Sequence, residues 1–274
     1  MATIRNRAVD GLINAIKEVN GPGVCDPKGY CQSLSDNLVA GIEVDQFREE
    51  FDAGAGQELN QKMRAAHSSS ALAVNSFCRH KDNPTNLTIC GLSQFDQINF
   101  EVPCPTGLKS RTPPHLDLIA ISDTATLAIE SKCTEYLSSH RAKFSDAYPD
   151  QVNDERAETG WYAEMEILRK KPSKYRYLDA AQLIKHYYGL AHAFRNEPVI
   201  LLYLYWEPVN RSDYKEFADH RAEIVEFSRA VGETNVAFKS QSYLDLWAEW
   251  SDLGQPIWLS SHVENLQGRY AVSI

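Results

Sequence analysis

Two apolar runs decide the fold: HLDLIAI at residues 115–121 and TLAIESKC at residues 126–133. Both are short and rich in aliphatic residues, and the turn-forming SDTA at residues 122–125 separates them, which is typical of a tight β-hairpin. A two-residue loop in the middle of this turn sets a register that opposes Asp117 to Glu130. The hairpin therefore predicts two carboxylates that face each other.

Lys132 joins these two acids, because side chains alternate along a strand and Asp117, Glu130 and Lys132 fall on one face. Opposed residues have Cβ atoms about 5 Å apart, where two unit charges repel by about 3 kcal/mol at an effective dielectric of about 20. Lys132 supplies part of the positive charge that this pair needs. Mg²⁺ supplies more, since it is held by one or two carboxylates and keeps waters that a phosphate replaces. The alternative is an edge hairpin with a structural ion pair between Lys132 and one acid.

Asp117 followed by Glu130-Ser131-Lys132 resembles the signature of the PD-(D/E)XK nuclease superfamily. In that superfamily an acid on one strand and a Glu-x-Lys on the next hold the metal and activate water. Leu116 stands where the superfamily usually has a proline. The resemblance implies an α/β fold of the restriction-endonuclease type, in which helices flank a mixed central β-sheet and an N-terminal helical extension is added.

Further segments resemble a bacterial subfamily of restriction endonucleases. GAGQEL at residues 54–59 and SSSALAVN at residues 68–75 are similar to its leading helix, and residues 178–190 are similar to its later glutamine-bearing helix. The resemblance implies that Glu58 projects toward the first acid, where it binds a second cation or hydrogen-bonds a water. The amide of Gln182 in that later helix can orient a nucleophilic water or contact a phosphate without carrying charge.

The residues around these two side chains leave other interpretations open. Apolar residues recur at helical spacing over residues 59–66, which makes Glu58 a first-turn acid favoured by the helix dipole. Gln182 and His186 share one flank of their helix, and a polar helix shoulder is the favoured interpretation for His186. The superfamily's Gln-x-x-x-Tyr is not reproduced, because His186 stands four residues after Gln182.

Composition sets the outer limits. The chain has 274 residues, of which 43% are hydrophobic and 24% charged, as is ordinary for a globular protein. We expect one PD-(D/E)XK nuclease-like domain over residues 1–274, with an N-terminal helical extension at 1–50 and an insertion at 134–178. The apolar run at residues 199–206 is too short to cross a bilayer, and the N-terminus lacks the apolar core of a signal peptide. These features predict a cytoplasmic protein.

The net charge of −9 argues against nonspecific adhesion to nucleic acids, because phosphate contacts need Lys and Arg. A basic run with interleaved tyrosines at residues 169–177 precedes the glutamine-bearing helix. It either follows a phosphate backbone or is a solvated helix end and loop, and the second is favoured for any single residue. The six cysteines include no Cys-x-x-Cys pair, so reduced thiols are expected.

The sequence thus predicts a Mg²⁺-dependent endodeoxyribonuclease, with Mn²⁺ as a substitute cation. The predicted site residues are Asp117, Glu130, Lys132, Glu58 and Gln182 for catalysis, and Asp117, Glu130, Ser131 (through its backbone carbonyl) and Glu58 for the metal. DNA is the expected partner and a membrane is not, while a homodimer stays open. The alternatives are a non-catalytic DNA-binding or assembly module on the same fold, and a nuclease acting on RNA or branched DNA. A role in restriction rests on the resemblance alone.

Overall fold

The computed structural model describes residues 2–53, 59, 61–109, 113–151, 154–195, 197–254 and 256–274. These residues form a five-stranded mixed β-sheet flanked by helices, with a further helix at the N-terminus. The predicted α/β fold class is confirmed. Among the described residues, no helix combines the length and the apolar character that a membrane span requires.

The strands follow chain order across the sheet. They are β1 (Gln97–Pro103), β2 (His115–Ile121), β3 (Thr126–Lys132), β4 (Val199–Tyr205) and β5 (Val236–Ser242). The pairs β1–β2 and β2–β3 are antiparallel, whereas β3–β4 and β4–β5 are parallel. Parallel neighbours need long crossovers, and the helices between β3 and β5 supply them.

The helices form two layers. They are α1 (Ile4–Asn20), α2 (Arg48–Ala53), α3 (Ser69–Phe77), α4 (Ala147–Gln151), α5 (Gly160–Lys170), α6 (Ala180–Ala193), α7 (Lys215–Val231), α8 (Tyr243–Leu253) and α9 (Ile257–Tyr270). One core lies between the sheet and α1, α2, α3, α8 and α9, and the other between the sheet and α5, α6 and most of α7. Both faces of β4 are covered, which explains its nearly continuous apolar sequence.

The hairpin has the predicted register. Its pairs run from Ile121 with Thr126 to Leu118 with Ile129, and the next position in this register opposes Asp117 to Glu130. The predicted alternation along β2 and β3 therefore holds up to the last pair. Asp117 and Glu130 lie immediately beyond it, where the hydrogen-bonded ladder ends.

Glu101 interrupts the side-chain alternation of β1. Its φ is 50°, in the left-handed region that non-glycine residues seldom adopt. Phe100 packs into one core, whereas Val102, two residues later, packs against the other. The side chains before and after Glu101 therefore point to opposite faces of the sheet, whereas regular alternation would put them on the same face. This change places the Glu101 carboxylate beside the end of the hairpin.

The helix expected over residues 59–66 is wrong for the described part of that segment. A single 3-10 turn spans Lys62–Arg64, and Ala65 forms a β-bridge with Tyr30. Met63 and Ala66 are buried as the apolar pattern predicts, but the segment that carries them does not form a continuous helix. Glu58 lies outside the described residues, so its predicted position stays a prediction. The single-domain assignment also stays a prediction.

Candidate active site

A cleft of about 480 Å³ opens where β2 begins and β3 ends. It is lined by Asp117 of β2, by Glu130, Ser131 and Lys132 of β3, and by Gln182 of α6. Five of the six predicted site residues therefore meet in one cleft, and the sixth, Glu58, is outside the described residues.

The Asp117 side chain accepts a backbone hydrogen bond at the end of the hairpin, where a main-chain carbonyl of the neighbouring strand would otherwise be the acceptor. Its Oδ2 accepts a hydrogen bond of 2.7 Å from the backbone N–H of Ser131, beyond the last pair of the ladder. Burial and the nearby Glu130 and Glu101 carboxylates raise the pKa of Asp117 well above its ordinary value, although Lys132 and the Ser131 amide lower it. The site therefore holds more negative charge than its own lysine balances.

Glu130 and Lys132 form a buried ion pair. Glu130 is 2% exposed, and the Lys132 Nζ donates hydrogen bonds to Glu130 Oε1 and to Gln182 Oε1, the latter at 2.8 Å. Burial by itself raises the pKa of Glu130, but the charges of Lys132 and His186 outweigh it and lower the pKa to about 2. Burial by itself lowers the pKa of Lys132, but Glu130, Glu135 and Asp117 raise it above its ordinary value. Both groups are consequently charged at neutral pH.

Gln182 is fixed by the start of α6. The Asp179 side chain caps this helix by accepting the backbone N–H of Gln182 at 3.1 Å. The preceding residues 176–178 are held by the Glu223 carboxylate, which accepts their three backbone N–H groups at 2.8, 2.8 and 2.9 Å. The amide oxygen of Gln182 thereby reaches Lys132, which lies 50 residues away in sequence.

His186 is a site residue that sequence reasoning missed. It is 1% exposed, and its Nε2 lies 2.7 Å from Glu130 Oε2. The interpretation of His186 as a polar helix shoulder is therefore wrong. Its spacing of four residues from Gln182 was the available signal, because that spacing puts both side chains on one face of α6.

The donor set of the cleft suits a hard divalent cation. Within the described part of the chain, no three His, Cys, Asp or Glu side chains are grouped as metal ligands. Asp117 and Glu130 would offer two carboxylates to a cation, and one or two carboxylates are what Mg²⁺ takes from a protein when waters and phosphate oxygens complete its coordination. Burial and the Glu130 carboxylate raise the pKa of Asp117, and added positive charge between the two acids would oppose that shift.

Glu101 and Glu135 add carboxylates that the sequence did not single out. Both line the cleft. Glu135 accepts the backbone N–H of Cys133 at 3.1 Å, and Glu101 raises the pKa of Asp117. Neither stood out in sequence, because one follows the hairpin in a short turn and the other reaches the cleft through the reversal of β1.

The basic run at residues 169–177 is not part of this cleft. The Lys174 Nζ lies 2.8 Å from Glu164 and 3.2 Å from Glu226, and Arg169 pairs with Glu166 at 2.8 Å. These acids pair with two of the five basic residues in the run, and the run lies outside the cleft, which favours its interpretation as a solvated helix end. The cleft instead takes cationic side chains from the N-terminal part of the chain, Arg5 and Lys62.

A protein-family model described as "Restriction Endonuclease associating with ARP" matches residues 17–271. The chain belongs to this family. The match includes β1 to β5 and the helix that carries Gln182 and His186, so it covers the cleft strands and α6 together. It confirms the coarser part of the prediction, a restriction-endonuclease-like nuclease. No match was found among curated proteins or among solved structures.

Proposed function

We propose that this member of the family is a Mg²⁺-dependent nuclease of the PD-(D/E)XK type that hydrolyses phosphodiester bonds in DNA. The observation that carries the proposal is the convergence of Asp117, Glu130, Lys132 and Gln182 in one cleft. In that cleft the lysine amine bridges the second acid and the amide. The family supports a nuclease, and the two-carboxylate donor set supports the metal.

Asp117, Glu130 and the backbone carbonyl of Ser131 would hold Mg²⁺, or Mn²⁺ in its place, and Glu58 is the further ligand that the sequence suggests. The bound cation supplies Lewis acidity toward the phosphoryl group. Ser131 contributes to the site in a second way. Its hydroxyl is hydrogen-bonded to Ser69 O at 3.2 Å and lies 2.7 Å from the Tyr243 hydroxyl, which anchors this end of β3 to α3 and α8.

Lys132 acts as a fixed cation. Its raised pKa keeps the amine protonated at neutral pH, so it donates hydrogen bonds and does not abstract a proton. Glu130 and Gln182 hold two of its three donor positions. The remaining N–H is suited to orient the attacking water or to stabilise charge that develops on a phosphoryl oxygen, and a preorganised donor of this kind is worth about 10²–10³ in rate.

Gln182 and His186 are positioning residues in this mechanism. Gln182 fixes the Lys132 amine from the side of α6. His186 Nε2 lies 2.7 Å from the Glu130 oxygen that Lys132 does not engage, so a neighbouring side chain lies against each oxygen of the carboxylate. A carboxylate flanked in this way keeps its orientation toward a cation when substrate enters.

Purified protein incubated with plasmid, linear duplex and single-stranded DNA tests the proposal, with Mg²⁺ or Mn²⁺ in one series and EDTA in the other. Asp117→Asn and Lys132→Ala are the active-site variants, and Lys170→Ala, at an exposed position outside the cleft, is the matched control. We expect cation-dependent cleavage by the wild type and by Lys170→Ala only. Equal cleavage by all four proteins would reveal a contaminant and remove the assignment.

The same experiment separates the alternatives. Binding of duplex without cleavage in either cation would favour the non-catalytic DNA-binding or assembly module. Cleavage of RNA or of branched substrates in preference to plain duplex would move the substrate class and leave the chemistry in place. Sedimentation of the purified protein tests the homodimer.

A further inference from the structure

One wall of the cleft is formed by the N-terminal part of the chain. We refer to Arg5, Tyr30, Lys62 and His67 as the N-terminal wall, since all four line the cleft that contains Asp117. They come from α1, from a turn, and from the segment between α2 and α3. No sequence pattern connects them, and the fold brings them together.

The turn that carries Tyr30 is rigid. The Asp26 carboxylate accepts the backbone N–H groups of Lys28 and Tyr30 at 2.8 and 2.9 Å. Gly29 has a φ of 87°, and a Cβ at this position would lie 2.7 Å from the Ile13 side chain of α1. Tyr30 then pairs with Ala65 in a β-bridge. The tyrosine, which is 39% exposed, is therefore held at the cleft before any ligand arrives.

Arg269 of α9 joins the pieces of the wall from behind. This buried guanidinium donates hydrogen bonds to Leu12 O at 3.2 Å, to Asn37 Oδ1 at 3.0 Å and to Ala66 O at 2.8 Å. These acceptors belong to α1, to the loop after it, and to the segment that carries His67. The wall is thus a preorganised surface, which lowers the entropic cost of binding a ligand there.

The N-terminal wall contains two cationic side chains, Arg5 and Lys62, which favour an anionic ligand. Arg5 Nε and His67 Nδ1 are shielded from solvent and have no hydrogen-bond partner in the part of the chain that the structure describes. Burial and the neighbouring Arg5 lower the pKa of His67, so this imidazole is neutral at physiological pH. Arg5 and Lys62 are then the cations of the wall. A shielded guanidinium N–H gains most from an anionic acceptor such as phosphate.

We propose that the N-terminal wall binds the backbone of the substrate strand beside the bond that is cut, with Arg5 and Lys62 on phosphates and Tyr30 against a sugar or base. This inference rests on the proposed nuclease function and names the surface that holds its substrate. The contacts are independent of base sequence, because phosphates carry none of it. The catalytic end of the cleft has excess negative charge and would repel DNA, so a separate cationic surface is needed to hold the strand near it.

Salt-dependent DNA binding tests this assignment without relying on cleavage. Fluorescence anisotropy of a labelled DNA duplex, with the whole protein in EDTA, gives Kd at several salt concentrations. We expect Arg5→Ala and Lys62→Ala each to weaken binding and to reduce the slope of log K against log salt by about 0.9, the value for one phosphate contact. Arg5→Lys should keep the slope. Tyr30→Ala should weaken binding at an unchanged slope, since stacking carries no counterion release.

Lys170→Ala is the control for the loss of one positive charge, because Lys170 is exposed at the end of α5 and does not line the cleft. It should leave Kd nearly unchanged. Thermal melting of each variant separates lost binding from lost folding, and the exposed Lys62 keeps the test available if Arg5→Ala unfolds. Wild-type slopes in both Arg5→Ala and Lys62→Ala would overturn the inference while the nuclease function stood. A wild type that neither binds nor cuts DNA would remove both.

Discussion

Asp117→Asn should make the metal-free protein more stable while it abolishes cleavage. The carboxylate of Asp117 lies beside Glu130 and Glu101 in a site whose ammonium is already committed to Glu130. Its pKa is raised, so the folded state disfavours this carboxylate relative to the unfolded chain. An amide of the same shape removes that cost and retains an oxygen for the Ser131 N–H.

The expected gain is the difference between two opposing effects. Two unit charges about 5 Å apart repel by about 3 kcal/mol at an effective dielectric of about 20. A hydrogen bond to an amide oxygen is weaker than one to a carboxylate by about 1 kcal/mol. The attraction to Lys132 is also lost, but the repulsion from Glu101, which is lost with it, offsets most of that cost. The net gain is therefore about 1–2 kcal/mol, or about 2–4 °C in Tm for a chain of this length.

The direction of the Asp117 pKa shift also determines the pH range over which Asp117→Asn stabilises the fold. A raised folded-state pKa means that the cost of Asp117 is present at neutral pH and disappears below the ordinary value of 3.8. The stabilisation of Asp117→Asn should consequently be largest at neutral pH and should vanish as the solution is made strongly acidic.

Glu130→Gln is the matched comparison, because it is also a carboxylate-to-amide change in the same cleft. It leaves the buried Lys132 and the adjacent His186 without their anion, and breaking a buried pair in this way costs about 3–5 kcal/mol. Calorimetry in EDTA should therefore show Tm changes of opposite sign in two variants that have both lost cleavage. Destabilisation of equal size in both variants would refute this charge balance around Asp117 and Glu130.

Three further predictions concern buried groups. His186→Ala should lower the cleavage rate about 10- to 100-fold and raise the Mg²⁺ concentration needed for half-maximal rate, and an unchanged metal dependence would contradict its positioning role. Acidification to pH 5 should destabilise the fold, since burial lowers the pKa of His80 and His220 to about 3 and that of His262 to about 4. The unfolded chain then takes up protons first, at a cost of about 2 kcal/mol per histidine at pH 5, and a urea midpoint that stays constant from pH 7 to pH 5 would be inconsistent with this. Arg269→Met should cost about 2–4 kcal/mol in urea unfolding because three buried acceptors lose their donor, and a loss under 1 kcal/mol would show that those acceptors find other partners.

The hairpin and its register were predictable from sequence because both depend on local information. A turn of four residues between two apolar runs leaves little freedom in pairing, and the register then opposes Asp117 to Glu130 whatever the rest of the fold does. The apolar run at residues 199–206 likewise needed only local information, and it forms the strand Val199–Tyr205.

The errors have a common physical origin. Apolar residues over 59–66 suggested a helix, but the described part of that segment satisfies its backbone by pairing Ala65 with Tyr30. The spacing of His186 from Gln182 suggested a polar helix shoulder, but His186 is buried against Glu130 of β3. In both cases a partner distant in sequence changed the outcome, and a local pattern carries no information about such partners.

Sequence alone determined the strand pair, the opposed acids and the lysine two residues beyond the second acid, because strand periodicity and a short loop fix them. Tertiary structure alone decided that His186 lies against Glu130, that Glu101 reaches the same cleft, and that Arg5 supplies a cation from α1. These contacts join segments tens of residues apart. They form only when the free energy gained by burying the two cores exceeds the entropic cost of closing long loops. Both quantities depend on the complete fold and not on any local segment.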